Sequence, residues 1–471
     1  MLNLAARHLS GKTAQSLVYR KDLHDEIIQI ATDFLEICDL KDMSGISYAM
    51  MRPEDIAFHI ADDMFFYKMC IPVQYSARFI LSAMDYLIKP WFDDARKKYN
   101  YRDYRAVSAY FLKQNWWESN VRFLTLEELH HATKVANYKL IEMLKDISIP
   151  ISEINKQFIS FDSSANFFEY PLFYNPKRGY CCFDRLFCGY GFLKCIHKII
   201  KLRNQNLDSL QGYELEKWLA QEMKVKGYDI KSGHYPAQGG LNEGECDFVM
   251  ESGRIYFFEL KKKEIIDDFN DVDDVKMWGT LGQGMLRAQK QCFSHELYLM
   301  HNGTMVFDTG ESVQFTLDKI PAAKISVCFG EHFFISSKAY VMVILKTILK
   351  NGDILARDTS RQKILDGFNR YSHQIVDIIR QQNAEIGKVP TVNEIVSCSL
   401  FCSMQQILLA IWITSDEREF LNLINEMEIR ADGSLDQYMI LFGKLHHVDD
   451  SISDAILRFA QKRKSPPLIV S

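Results

Sequence analysis

The stretch Gly244-Glu-Cys-Asp-Phe-Val-Met-Glu-Ser-Gly-Arg-Ile-Tyr-Phe-Phe-Glu-Leu-Lys-Lys-Lys263 decides the fold. It reads as a β-hairpin: two β-prone runs on either side of a turn at Ser252-Gly253. Strand side chains alternate between faces. Glu259 and Lys261 therefore share one face of the second strand, with Phe257 next in line. Tyr256, Phe258 and Leu260 point the other way, toward a core. Asp247 lies on the first strand, and the turn decides whether it meets Glu259. A two-residue loop, Ser252-Gly253, pairs Asp247 with Phe258 and puts the two acids on opposite faces. A three-residue loop, Ser252-Gly-Arg254, pairs Asp247 with Glu259, and Gly253 can supply the positive φ it needs. An odd-numbered loop or a bulge is therefore required for two carboxylates and a lysine to form a site for a divalent cation and a water.

Outward from the hairpin, a helix from about Gln211-Gly212 runs to about Lys226, with Gly227 as its C-cap. Strands are expected at Tyr228–Ser232, Cys246–Glu251, Ile255–Lys261, His295–Met300 and Lys324–Phe329, with a helix over Val275–Phe293. Upstream, Phe167–Tyr174 and Gly179–Phe183 are aromatic-rich strands joined by the turn Asn175-Pro-Lys-Arg-Gly179, and a helix covers about Phe187–Arg203. Residues 23 to about 150 read as helical. Leu23–Leu40 has a 3.6 period, a helix from Val73 stops near Lys89 before Pro90, and Thr125-Leu-Glu-Glu128 is a capping box starting a helix to about Leu144. Tyr340–Gln461 reads as helical again, with a helix start at Pro390-Thr-Val-Asn-Glu394 and a turn at Ala431-Asp-Gly-Ser434. The predicted class is α+β: an α/β core with a mixed central sheet over residues 151–345, between helical regions at 1–150 and 346–471.

The pattern of an aspartate, a hairpin and Glu-x-Lys, in the order helix, three strands, helix, strand, resembles the PD-(D/E)xK nuclease superfamily, the restriction-endonuclease-like fold. The matching residues are Asp247, Glu259 and Lys261, and the likeness covers about residues 212–300. Cys246 stands where the superfamily usually has proline, which many members lack. The resemblance implies phosphodiester hydrolysis assisted by Mg2+ or Mn2+, with DNA expected over RNA. It implies that Asp247, Glu259 and the Leu260 carbonyl are metal ligands, a hard-oxygen set suited to magnesium. A fourth acid comes from the preceding helix: Glu216 is the choice, with Glu214 and Glu222 as competitors that cannot all face one metal. Lys261 would sit beside the water and phosphate to neutralise developing charge, and could move a proton if its pKa were depressed. On the following helix Gln283 would hold a water or phosphate, with Gln289 as the fallback. Arg287, one turn on, would pair a phosphate oxygen, and Lys262 and Lys263 would grip the backbone of the nucleic acid.

The 471 residues are 47% hydrophobic and 25% charged, with a net charge of −5, so the chain is not a polycation. Any nucleic-acid contact must come from a local basic surface. Eleven cysteines without a Cys-x-x-Cys pair read as buried free thiols in a reducing, cytoplasmic setting; even the cluster Cys181, Cys182, Cys188 and Cys195 with His197 is a weak zinc pattern. No run of apolar residues reaches membrane length. The first 21 residues lack acids and faintly resemble an organelle presequence, but read as an ordinary N-terminus. Asp267–Asp274 reads as a solvated acidic loop, with gating of access as an alternative; Arg96–Arg105 and Trp116-Trp117 read as a helix with inward tyrosines before a nucleic-acid grip. His130-His131 cannot converge on a metal. No P-loop or nucleophile elbow occurs. The helical flanks suit substrate grip, homo-oligomer formation or a partner subunit, in a setting of bacterial or phage defence or genome maintenance. Two other readings stand beside the nuclease: a catalytically inactive subunit of the same fold, and a helical interaction protein with an incidental hairpin.

Overall fold

The computed structural model describes residues 29, 75–113, 123–156, 169–182, 188–262, 274–316, 321–331, 338–351, 353–386, 394 and 397–429. The expected Leu23–Leu40 helix (Gln29 apart), Trp116-Trp117, Lys263, the acidic run as far as Asp273, the helix start at Pro390 and the turn at Ala431 lie outside them.

Ser76 opens the first helix, α1 (Ala77–Ala83), by accepting a hydrogen bond from the Phe79 N–H. The helical path does not stop before Pro90, as expected from the sequence. It continues through a π turn at Met84–Ile88 into a 3-10 turn at Lys89–Ala95. Pro90 sits in the first turn of that segment, where a missing N–H costs nothing. α2 (Tyr101–Lys113) follows. The capping box at Thr125 is present, with reciprocal bonds to Glu128, but the helix it opens, α3 (Leu126–Thr133), ends early. Lys134 turns left-handed at φ 59°, and α4 (Asn137–Ile147) restarts after it. A small sheet joins β1 (Ser148–Pro150), β2 (Leu172–Asn175) and β3 (Gly179–Cys181).

α5 (Tyr190–Lys201) leads to α6 (Leu207–Val225), which begins before Gly212 and keeps it inside. Gly227 caps α6 at φ 77°. Its N–H bonds Lys224 O at 2.9 Å, and that of Tyr228 bonds Met223 O at 3.1 Å. Three strands follow: β4 (Lys231–Tyr235, three residues later than expected), β5 (Gly244–Glu251) and β6 (Ile255–Lys261). Then come α7 (Asp274–Leu281), a π turn at Gly282–Leu286, and α8 (Arg287–Asn302).

His295–Met300, expected as a strand, is the second half of α8. Its alternating residues also continue the helical spacing of Cys292 and Phe293, and no breaker intervenes. The first stop is Gly303, left-handed at φ 72°, with its N–H on Leu299 O. A short hairpin, β7 (Thr304–Val306) and β8 (Ser312–Gln314), precedes β9 (Ala323–Cys328). The order helix, three strands, helix, strand thus survives with β9 as its last member. α9 (Lys338–Asn351) and α10 (Gln362–Ile386) come next. The C-terminal region is not wholly helical as expected, because β10 (Ser399–Ser403) enters the sheet before α11 (Met404–Ile413) and α12 (Glu417–Ile429).

The fold is α+β around a five-stranded mixed sheet in the order β10–β9–β6–β5–β4. β10 and β6 run parallel to β9, and β5 is antiparallel to both β6 and β4. A central mixed sheet excludes the helical protein with an incidental hairpin. β6, β9 and β10 are buried almost end to end, because helices cover both faces. Phe248, Met250, Tyr256, Phe258 and Leu260 pack on one side with Leu215, Trp218 and Leu219 of α6. Val249, Ile255 and Phe257 pack on the other with Cys292, Tyr298 and Leu299 of α8.

Candidate active site

The β5–β6 ladder pairs Phe248 with Phe258, Val249 with Phe257, Met250 with Tyr256 and Glu251 with Ile255. That register leaves Ser252, Gly253 and Arg254 as a three-residue loop. Gly253 takes φ 65°, and the Ser252 N–H bonds Arg254 O at 3.0 Å. One step further along, the register sets Asp247 opposite Glu259. The other edge of β5 is irregular: Lys231 pairs with Val249 but Gly233 with Cys246, so β5 holds one residue more than β4 there. Such a bulge re-aims side chains. Cys246 joins Val249 and Phe257 beneath α8 instead of alternating away from them.

Asp247, Glu259 and Lys261 converge. Lys261 Nζ lies 3.0 Å from Glu259 Oε2, 2.8 Å from Leu260 O and 3.8 Å from Asp247 Oδ2. The Leu260 N–H donates to Asp247 Oδ2 at 2.6 Å, and the Asp247 N–H donates to Glu259 Oε1 at 3.4 Å. Two carboxylate oxygens and a carbonyl oxygen therefore surround one point, where the Lys261 ammonium stands in for a cation. This all-oxygen set fits a hard divalent ion such as Mg2+ or Mn2+. Glu259 is fully buried, and the Asp247 and Lys261 side chains are only 8% and 12% exposed.

The electrostatics follow from this crowding. Burial, then the neighbouring Glu259 charge, pushes Asp247 well above the usual carboxylate range. Burial would raise Glu259 too, but Lys261 and the His295 hydrogen bond hold it below its ordinary value. Lys261 is not depressed. Burial pulls it down, yet Glu259 and Asp247 carry it above its usual value, so it stays an ammonium here and the proton-transfer role expected on depression has no support. Glu216, on the face of α6 turned to the hairpin, is pushed up to about 7 by burial and by Glu245. It feels both Lys261 and Glu259. The competitors are engaged elsewhere: Glu214 pairs Lys217 at 2.6 Å, and Glu222 accepts from Trp412 Nε1 at 2.9 Å.

Several residues were not legible as site members. His295 donates from Nε2 to Glu259 Oε1 at 2.8 Å, the assignment an ionised carboxylate imposes, and its Nδ1 then accepts from Tyr235 OH at 2.8 Å. Lys290, one turn before Ser294 on α8, is half-buried, held below its usual value by burial, and feels both Glu259 and Arg287. Among the described residues, the group with donor atoms mutually within 4.8 Å is Cys246, Glu259 and His295. Glu216 is outside it and faces the site from further off. A strand reading of 295–300 hid the Cys292-x-x-His295 spacing, which on a helix puts both residues on one face.

The helix after the hairpin is only partly as expected. Gln283 lies against α10, where a Cβ at Gly367 would collide with its Nε2. The glycines around it serve the same packing, since Gly279 meets Ile364 and Gly282 meets the Phe368 backbone. Gln289 is structural: its Nε2 donates to Lys324 O at 3.0 Å and Ser326 Oγ at 2.9 Å, tying α8 to β9. Arg287 is exposed and lies close enough to Lys261 to act on its charge. Lys262 is held by Asp208, which also pairs Lys201 at 2.6 Å. The cysteines 181, 182, 188 and 195 are buried, and His130 Nδ1 meets Val135 O at 2.7 Å at the end of α3.

No protein-family model matches the chain, nor does any curated protein or any solved structure.

Proposed function

We propose that this chain is a metal-dependent nuclease of the PD-(D/E)xK type, hydrolysing phosphodiester bonds with DNA as the expected substrate. One observation carries the reading: Asp247 Oδ2, Glu259 Oε2 and Leu260 O gather around a single cation position on a buried hairpin. The sheet order supports it, as does Glu216 facing the same hairpin from the preceding helix. Mg2+ or Mn2+, when bound, supplies a Lewis acid and a water of lowered pKa. Asp247 and Glu259 would hold it by their carboxylates and Leu260 by its carbonyl, and Glu216, facing the same hairpin, would orient the attacking water. Lys261, kept cationic by its two acids, turns from them to the non-bridging phosphate oxygens and offsets the charge that grows there. Arg287 and Lys290 extend that positive side for the neighbouring phosphates, and His295 fixes the Glu259 carboxylate through Oε1.

The test is cleavage of labelled DNA and RNA with and without Mg2+ or Mn2+, alongside Asp247→Ala and Lys261→Ala. The expected outcome is metal-dependent cleavage, reduced at least about 100-fold in each variant. Wild type and both variants cutting equally would remove the site. The inactive-subunit reading keeps one observation in its favour: the three central side chains are nearly closed to solvent. Metal binding without cleavage of either nucleic acid would select it.

Buried thiols such as those of Cys181, Cys195 and Cys246 support a reducing, cytoplasmic setting. Among the described residues no helix is long and apolar enough to cross a membrane.

A further inference from the structure

The Glu259 carboxylate faces two ways. Its Oε2 belongs to the oxygen site with Asp247, Leu260 and Lys261. Its Oε1 accepts from His295 Nε2 at 2.8 Å, and Cys246 Sγ lies in the same buried group of metal-ligating side chains. The three donor atoms, one sulfur, one nitrogen and one oxygen, lie within 4.8 Å of one another, and all three residues are buried. We infer that Cys246, His295 and Glu259 form a second metal site, one for a thiophilic divalent cation of the zinc class, sharing the Glu259 carboxylate with the oxygen site.

The donor set argues for this class. Thiolate and imidazole select zinc over magnesium, which prefers oxygen and its own waters. Charge argues for it as well. Cys246, a buried thiol that donates to Phe248 O at 3.5 Å, must release its proton to solvent as the ion binds; the thiolate so formed and the Glu259 carboxylate bring two negative charges to a dication, so a neutral cluster is buried rather than a bare ion. Distance is the third argument. In a tetrahedral zinc site the N and O donors stand roughly 3.3 Å apart, and His295 Nε2 and Glu259 Oε1 are already at 2.8 Å. Closing the trio on an ion takes side-chain movements on the order of an ångström. His295 must then coordinate through Nε2 and carry its proton on Nδ1. Tyr235 OH, 2.8 Å away, turns from donor to acceptor and supplies the outer hydrogen bond that metal-ligating histidines almost always have. The backbone already holds the parts in place: the β5 bulge turns Cys246 beneath α8, and α8 brings His295 down from above.

The site does not depend on phosphodiester cleavage, and its test is spectroscopic. The full-length chain, stripped with chelator, is titrated with Co2+ as a visible stand-in for Zn2+, and then with Zn2+ itself. The expected result is a thiolate-to-cobalt charge-transfer absorption that saturates at one equivalent when excess Mg2+ fills the oxygen site, that Zn2+ displaces and that the Mg2+ does not. Cys246→Ser and Cys246→Ala should both lose the band. Cys195→Ser, a buried thiol on α5, should keep it. Circular dichroism of each stripped variant confirms that the loss is not unfolding. No band, or a band that persists in both folded Cys246 variants, overturns the inference. A protein that shows the band but cuts neither DNA nor RNA loses the nuclease reading and keeps this one. A protein that cuts with Mg2+ but shows no band does the reverse.

Discussion

Glu259 is the residue on which most of the chemistry turns. It is fully buried and charged, and its two oxygens are divided between a lysine and a histidine. A buried carboxylate is tolerated only when paired. His295 serves Glu259 as a neutral donor, so removing it leaves Oε1 short of a buried hydrogen bond and opens a cavity, and His295→Ala should cost roughly 2–4 kcal/mol of folding stability. Tyr235→Phe removes only the outer hydrogen bond and should cost about 1 kcal/mol. Urea denaturation of both variants checks the ranking; near-equal losses would mean that His295 is not supporting Glu259. Asp247 and Glu216 bring a pH dependence. Both are raised in the folded state, Glu216 to about 7. A carboxyl raised by folding binds more protons native than unfolded, so its contribution falls as pH rises from the ordinary carboxylate value through the folded one. Without metal, the melting temperature should therefore decline from about pH 5 to about pH 8. Metal needs the deprotonated acids, so Mg2+ should bind more tightly across the same window and release protons as it does. Calorimetry in buffers of different ionisation enthalpy measures that release, and the absence of any release would place the metal elsewhere.

At the scale of elements, the hairpin was the most legible part of the chain. Alternation fixed which face Glu259 and Lys261 share, and counting residues fixed that the loop must be odd for Asp247 to join them. Three residues in the turn, with glycine at positive φ, satisfy that count. The bulge toward β4 was not legible, because it depends on the pairing of β5 with a strand whose own register the sequence leaves open. The same limit applies to the helix that follows. Leu281-Gly-Gln-Gly looks like a site motif, but Gly282 is there so that the chain can lie against Phe368 of α10. The coupling is testable. Gly367→Ala adds about 1 kcal/mol of helix propensity to α10 but must push the flexible end of Gln283 aside, so its net effect should lie within about 1 kcal/mol of zero. In a Gln283→Ala background nothing needs to move and the full helical gain should appear, a coupling that a double-mutant cycle reads directly. The same effect in both backgrounds would mean that the two residues do not meet.

The whole molecule is held by contacts that ignore sequence distance. One hydrophobic cluster runs from Tyr75 to Met427, drawing on all three stretches that the sequence suggested, 1–150, 151–345 and 346–471. Phe79 of α1 lies 5.6 Å from the Trp218 ring on α6 and 5.7 Å from Phe329 after β9. β10 arrives about 70 residues after β9 and completes the sheet in parallel register, buried along its length. A chain truncated after residue 386 would expose the edge of β9 and lose the cover of α11 and α12. It should fail to fold, giving no cooperative thermal transition and aggregation through the open edge. A soluble fragment with an intact melting transition would show that the central sheet stands without its last strand.

By itself, the sequence determined the hairpin, the shared face of Glu259 and Lys261, the odd loop that brings Asp247 to them, and the capped helix carrying Glu216. Each follows from local rules, because period, turn length and capping act within a few residues along the chain. Only the tertiary structure decided that His295 holds Glu259, that Cys246 turns under α8, that Gln283 packs away from the site, and that β10 closes the sheet. Those outcomes depend on which surfaces meet across tens to hundreds of residues. A residue such as His295, equally suited to a strand or to a helix face, carries no local signal of the carboxylate it will meet 36 positions away.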